Sequence, residues 1–288
     1  MELDKARIYT AMVTPFNEQK EIDNDRLEKL IDYLLSNGTE GILVGGTTGE
    51  SPTLTFEEKL ALYRKTVTFV DGRAPIIAGT GSNNTAETIL FTKEVEKIKG
   101  IDGVLVVAPY YNKPNQKGLY EHFKAVAETT KLPVILYNVP GRTSVSIDPQ
   151  TTIRLSKIEN IKGIKECAGL EAVSEIIEQT NDQFLVYSGE DGSAFHARCL
   201  GGNGIISVAS HALGKDMQEM YNLIDDGSLS EAAAMHRNLL PKMNSLFSVP
   251  SPAPSKMYLN SIGVKVGSVR LPLVDCTSEE KNNILSTI

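Results

Sequence analysis

Three stretches of this chain end in side chains that could together activate a ketone. Lys165 closes the run Ile161-Lys-Gly-Ile-Lys165. A neutral lysine amine attacks a ketone and forms a Schiff base, and the iminium then acidifies the adjacent carbon. An apolar pocket favours the neutral amine, because desolvation disfavours the cation. The competing reading is a solvated lysine at a strand end, as Lys162 is expected to be. Tyr137 ends the run from 133 to 137. A phenol beside an imine can shuttle the protons of carbinolamine formation and dehydration. Its competing reading is a core tyrosine with a satisfied hydroxyl. Gly45-Gly-Thr-Thr-Gly49 offers backbone amides and the hydroxyls of Thr47 and Thr48. Such a loop holds a carboxylate or a phosphate. No Gly-Lys-Ser/Thr follows, so it is no P-loop and a small carboxylate fits better; a plain strand-to-helix turn is the alternative. Arg142 is a second anion clamp, since a guanidinium meets a carboxylate through two parallel hydrogen bonds.

Other signals are weaker. Tyr110-Tyr111 lies between Pro109 and Pro114 and reads as a site wall or a subunit contact, because as a bare surface pair it would be costly. Cys167 stands two residues after Lys165 and shares its side of a strand, where a small buried thiol is its expected role. His122, His196, His211 and His236 lie on or beside expected helices, none at ligand spacing to another, and no metal is expected. No Gly-x-Ser-x-Gly elbow is present.

Positioning these residues takes a regular scaffold, and the apolar runs supply one. They fall at 8–13, 41–44, 74–78, 103–107, 133–137, 161–164, 184–187 and 204–208, each of strand length. Helical patterns lie between them. Leu27, Leu30, Ile31, Leu34 and Leu35 form one apolar stripe, stopped at Asn37-Gly38. Thr55 with Glu58, and Asn84 with Glu87, have capping-box spacing. Asp148 precedes a proline at a first helical position, and Asp191 opens a segment ending at Leu200-Gly-Gly202. Met217, Met220, Leu223 and Ile224 mark the eighth helix. Alternating strands and helices read as parallel βα units, and their number and length fit an α/β fold, the (β/α)8 TIM barrel. A doubly wound open sheet usually has fewer strands and a glycine-rich turn after the first; here Val13-Thr-Pro-Phe16 follows. Beyond residue 225 the pattern is helical only, with Ala232, Met235, Leu239, Met243 and Leu246 in one stripe, a break at Pro250-Ser-Pro-Ala-Pro254, and further helices after it. The division expected is a barrel over 1–225 carrying the active site and a small C-terminal helical appendage over 226–288. In such a barrel the site forms at the C-terminal strand ends, where these reactive residues gather.

Composition bounds the class. Of 288 residues, 41% are hydrophobic and 23% charged, values of a globular chain. The net charge of −7 argues against a nucleic-acid footprint or an anionic membrane surface. The 3 cysteines, Cys167, Cys199 and Cys276, are too scattered for a disulfide framework and suggest a reducing compartment. The opening Met1-Glu-Leu-Asp-Lys-Ala-Arg7 has no apolar signal core, and no run is long enough to span a bilayer. A soluble cytoplasmic protein is expected.

Six motifs in chain order carry a resemblance. They are Gly46-Thr-Thr-Gly-Glu-Ser51, Pro109-Tyr-Tyr-Asn112, Tyr137-Asn-Val-Pro-Gly-Arg-Thr143, Gly163-Ile-Lys-Glu166, Ser188-Gly189 and Gly204-Ile-Ile-Ser207. Over nearly its whole length the chain resembles the dihydrodipicolinate synthase/N-acetylneuraminate lyase family of class I aldolases. Within it, Thr47 (where sialic-acid lyases typically have Ser) and Arg142 (which they lack) favour the synthase branch. The resemblance implies condensation of pyruvate with aspartate semialdehyde, the first committed step toward diaminopimelate and lysine. It implies that Lys165 forms the imine, with no separate cofactor, and that Tyr137, Thr47 and Tyr111 relay protons. Tyr111 would come from a neighbouring subunit of a homotetramer built as a dimer of dimers. Thr48 would bind the pyruvate carboxylate, Gly189 and Ile206 would line the pyruvate pocket, and Arg142 would hold the aldehyde's carboxylate. Other pyruvate-dependent aldolases of the family, or a non-catalytic keto-acid-binding barrel, are the alternatives. Ser51, Asn83, Glu87 and Tyr110 match the family's allosteric pocket. Phe56 and Lys59 stand where lysine-inhibited synthases usually carry histidines, so weak or absent feedback is expected. The family's Asn-Pro-x-Pro-x-Lys turn is Ser251-Pro-Ala-Pro-Ser-Lys256 here, a departure read as loosening one cap.

Overall fold

Each apolar run is covered on both faces, which is why it reads as continuous rather than alternating. In the computed structural model, which describes residues 2–288, the strands are β1 (Ile8–Ala11), β2 (Gly41–Val44), β3 (Ile76–Gly79), β4 (Gly103–Val107), β5 (Val134–Asn138), β6 (Ile161–Glu166), β7 (Leu185–Ser188) and β8 (Gly204–Ser207). All pair in parallel, and β8 returns to β1, closing an eight-stranded barrel. The helices between them are α1 (Asn24–Ser36), α2 (Phe56–Val70), α3 (Thr85–Glu96), α4 (Gln116–Ala127), the short α5 (Pro140–Thr143), α6 (Pro149–Leu155), α7 (Leu170–Gln179), α8 (Ala194–Cys199) and α9 (Ser210–Asp225). Three more follow: α10 (Leu229–Ser245), α11 (Ala253–Ser261) and α12 (Ser278–Thr287). The expected TIM barrel is the observed fold.

Alternation sorts the strand side chains into two cores. Ile42, Val44, Val104, Val106, Leu136 and Ile164 face outward onto the helices. Tyr9, Leu43, Ile77, Leu105, Ile135, Tyr137, Tyr187 and Ile206 face inward. The N-terminal turn Leu3–Lys5 closes one end: the Tyr9 and Tyr187 hydroxyls both donate to the Leu3 carbonyl, with their rings edge to face at 5.4 Å. Glycine makes room for this floor, since a Cβ on Gly41 would lie 2.3 Å from the Tyr9 ring.

Strand ends differ from the sequence expectation for local reasons. β1 stops at Ala11 because the Val13 amide donates to His211 Nε2 instead of a strand. β8 stops at Ser207 because the Val208 and Ala209 amides donate to the Asp191 carboxylate. Asp191 opens the turn Asp191–Ser193 ahead of α8, as expected, and its side chain in addition serves the approach to α9. β6 runs two residues longer than expected, so Lys165 and Glu166 belong to the strand. The Thr55–Glu58 capping box is present. Asn84 caps α3 through its own side chain, while Asp148 precedes α6 without a side-chain cap.

The segment beyond 225 shares its core with the barrel. Leu239, Met243, Leu246 and Ile284 pack in one cluster with Met217, Met220 and Tyr221 of α9 and with Ile8 and Ile205 of the strands. Re-exposing those large side chains costs on the order of 1.5–3 kcal/mol each, against a total stability of about 5–15 kcal/mol. A chain ending at residue 225 is therefore expected to lose cooperative thermal unfolding by circular dichroism; a cooperative melt with a full α/β spectrum would show the barrel to be self-sufficient.

Candidate active site

The register of two strands assembles the chemistry. β5 pairs Tyr137 with Lys165 of β6, and β7 sets Tyr187 against Lys165 from the other side. Lys165 is only 5% exposed, and its Nζ lies 4.6 Å from the centre of the Tyr137 ring. Burial pushes the Tyr137 hydroxyl above its ordinary pKa, while the positive charges of Lys165 and Arg142 and a hydrogen bond with the Thr47 side chain oppose the shift. A buried phenol so placed keeps its proton until a neighbour takes it and is helped to give it up. Burial likewise pushes up the Cys167 thiol, which fits a packing role.

A cavity of about 270 Å³ opens beside this pair, and Thr47, Ser51, Lys59, Tyr110, Tyr137 and Arg142 are on its wall. The Thr47 loop and Arg142 thus face one space. Thr48, Lys165, Gly189 and Ile206 are not on that wall. Lys165 touches it through Tyr137, and Ile206 shares the inner cluster with Tyr137. Gly189 packs directly on the lysine: a Cβ there would lie 2.2 Å from Cys167 Sγ and 2.7 Å from Lys165 Cε. Thr48 is buried in the turn behind Thr47. Tyr111 is not brought to Tyr137 within the chain. It is 87% exposed and sits at φ +74°, a left-handed conformation unfavourable for a bulky residue.

A second cavity of about 180 Å³ adjoins the first and shares Ser51 and Lys59 with it. Phe56, Glu87 and Phe91 also line it. Tyr110 is on the wall of the first cavity only, and the Asn83 side-chain amide donates to its carbonyl at 3.1 Å. Lys59 Nζ stands 5.6 Å above the Phe91 ring, and burial lowers its ammonium pKa. Among the described residues, no cluster of three or more His, Cys, Asp or Glu could hold a metal ion.

Two residues beside the reactive pair escaped the sequence reading. Asn138 and Glu166 follow Tyr137 and Lys165, so they point to the opposite, outer face. The Asn138 amide donates to both Glu166 carboxylate oxygens at 2.9 and 3.1 Å, and the Ala168 amide donates to the same carboxylate at 2.6 Å. Asn138 Oδ1 also accepts from the Ile147 amide. This bridge locks the ends of β5 and β6 together behind the site. Burial raises the Glu166 carboxyl to about 7, and the hydrogen bonds only partly oppose it. The period of two was the signal that could have found them.

Comparison with known proteins agrees with this geometry. The model of the dihydrodipicolinate synthetase family matches residues 4–288. The chain belongs to that family. A 4-hydroxy-tetrahydrodipicolinate synthase of Enterococcus faecalis is 58% identical over 288 residues, covering 100% of this chain and 99% of the relative. The crystal structure of a dihydrodipicolinate synthase from Bacillus anthracis superimposes with a TM-score of 0.97 at 53% identity, over 99% of this chain and 98% of that one. A synthase from Cyanidioschyzon merolae, solved with lysine bound, gives 0.96 at 40% identity, over 99% of this chain and 98% of that one. The family places the chain among enzymes of the lyase type.

Two outcomes follow from the site's packing. Gly189→Ala forces Lys165 or Cys167 to move and is expected to cut activity at least ~100-fold with the fold retained; unchanged kcat would show that the lysine has slack. Glu166 keeps its proton in the folded state at pH values where the unfolded chain has lost it, so its contribution declines as pH rises from the usual carboxylate range through about 7. Relative to wild type, Glu166→Gln is expected to gain stability between pH 5 and pH 8, by at most about 3 kcal/mol. Parallel Tm profiles for the two proteins would contradict this.

Proposed function

We propose that the chain condenses pyruvate with L-aspartate 4-semialdehyde to 4-hydroxy-tetrahydrodipicolinate, the first committed step toward diaminopimelate and lysine, through an imine on Lys165. The observation that carries this reading is the buried Lys165 amine 4.6 Å from the Tyr137 ring, next to a cavity walled by Thr47 and Arg142. The names of the similar proteins support the reaction, and the residues present can perform it.

The pyruvate carboxylate is held by the Thr48 amide and hydroxyl. The Lys165 amine adds to the ketone carbon, and the carbinolamine loses water to give the imine. Tyr137 gives the departing hydroxyl its proton and, with Thr47, passes protons onward; Tyr111 of a neighbouring subunit completes the relay in an assembly of two dimers. The high exposure of Tyr111 supports that role. Loss of a methyl proton to the Tyr137 oxygen turns the imine into an enamine; its carbon bonds to the aldehyde carbon while the aldehyde oxygen takes up a proton from the relay and becomes the product's hydroxyl, regenerating the iminium. Arg142 holds the aldehyde's carboxylate during this step. The aldehyde's own amine then replaces Lys165 at the imine carbon, which closes the ring and frees the lysine. Gly189 and Ile206 shape the pyruvate pocket. The imine is the electron sink, so the route uses no separate cofactor. Free Cys167, Cys199 and Cys276 support a cytoplasmic setting.

The adjoining cavity, with Ser51, Glu87, Asn83 and Tyr110 at or near it, is the counterpart of a lysine-binding pocket, and Lys59 within it opposes an effector's ammonium group. Weak or absent feedback is the reading this supports.

An initial-rate assay with both substrates, coupled to a reductase, tests the proposal. Turnover that vanishes in Lys165→Ala is expected; full activity in that variant removes the mechanism. Arg142→Ala is expected to raise the aldehyde KM at least ~10-fold and to leave pyruvate binding nearly unchanged, and equal effects on both would make Arg142 structural. A lysine titration is expected to leave the initial rate unchanged; clear inhibition at sub-millimolar lysine overturns the feedback reading.

A further inference from the structure

The turn that presents Thr47 and Thr48 is anchored from behind by residues of the C-terminal segment. Two successive hydrogen bonds shape it: the Gly49 amide donates to the Gly46 carbonyl at 3.1 Å, and the Glu50 amide to the Thr47 carbonyl at 3.0 Å. Thr47 and Thr48 are the central residues of the first, so their place depends on where Glu50 is held. Glu50 has φ +55°, a left-handed conformation that a non-glycine residue keeps only when its surroundings impose it.

Those surroundings are visible. Lys256 is 1% exposed, and its Nζ lies 2.6 Å from Glu50 Oε1. The same ammonium donates to the Ser268 carbonyl at 3.0 Å and stands 4.1 Å above the Phe16 ring. The Arg270 amide donates to Glu50 Oε2 at 2.8 Å, and its guanidinium grips the Glu58 carboxylate and the Thr53 carbonyl just past the turn. From the barrel side, the Thr14 hydroxyl donates to the Gly49 carbonyl at 2.6 Å. A buried ion pair is a poor source of net stability, because desolvation of both charges offsets their attraction. What it does supply is a fixed position: neither charge can leave the other without a partner in a dry interior.

We propose that Lys256 and Glu50 are positioning residues for the ketoacid, a buried ion pair through which the C-terminal segment fixes the Thr47–Thr48 turn. The proposal rests on the reading that this turn holds the pyruvate carboxylate. It gives the Ser251–Lys256 stretch, which makes no side-chain cap on α11, the task of delivering the ammonium.

The test compares Lys256→Met and Glu50→Gln with wild type in the full-length chain. Folding is checked by thermal melting, and the readouts are the KM for each substrate and the rate of borohydride trapping at a fixed pyruvate concentration. Expected in both variants is a pyruvate KM at least ~10-fold higher and slower trapping, with the aldehyde KM within ~2-fold of wild type. Lys256→Arg, which keeps a cation, is expected to lie between. If Lys256→Met does not fold, Glu50→Gln alone carries the comparison. Folded variants with wild-type pyruvate KM overturn the proposal, as does an equal rise for both substrates, which marks general loosening. Failure of the functional reading is separable: wild type itself would then trap no pyruvate.

Discussion

Everything at the site depends on the register between β5 and β6. Tyr137 stands opposite Lys165, both inward, and their successors Asn138 and Glu166 stand opposite one another, both outward. A slip of one residue would exchange the pairs and put the Lys165 amine among the helices. The inward pair is the one to which the proposed chemistry is assigned, and the outward pair is the lock. A register shift between Val134 and Ile135 passes over Lys162. It lets Ile161 and Ile164 both join the outer core while Gly163 and Lys165 face inward.

Glycine and burial then complete what the register begins. Gly189 leaves space that Lys165 and Cys167 fill, so the lysine is confined by packing as well as by pairing. The pocket combines that confinement with cations and hydroxyls around a buried phenol. Burial alone would hold the Tyr137 proton tightly; Lys165, Arg142 and Thr47 are the groups that oppose it. The C-terminal segment belongs to the same construction. Its core is shared with β1, β8 and α9, and Lys256 and Arg270 reach back to the turn after β2.

Much of this was legible in the residues. The eight apolar runs became the eight strands, because a sheet covered on both faces needs continuous Val, Ile and Leu. Lys165, Tyr137 and the Thr47 loop were marked by standing at run ends. What was not legible depends on long-range pairing. Asp191 reads as a helix opener, and only closure of the barrel shows its carboxylate bound to amides beyond β8. Lys256 reads as the end of a family turn and no more; its partner lies about two hundred positions earlier, and no local pattern links them. The bulge at Lys162 is likewise invisible to simple alternation.

The most direct measurement is to reduce a mixture of the wild-type protein and pyruvate with borohydride and locate the adduct by peptide mass spectrometry. Among the described residues two lysines are deeply buried, Lys165 and Lys256, and they are distinguished by surroundings rather than by burial. Lys256 is committed to Glu50 and Ser268, while Lys165 faces Tyr137. The account predicts pyruvate on the peptide containing Lys165 and on no other. An adduct on Lys256, or none at all in an enzyme that turns over, would contradict it.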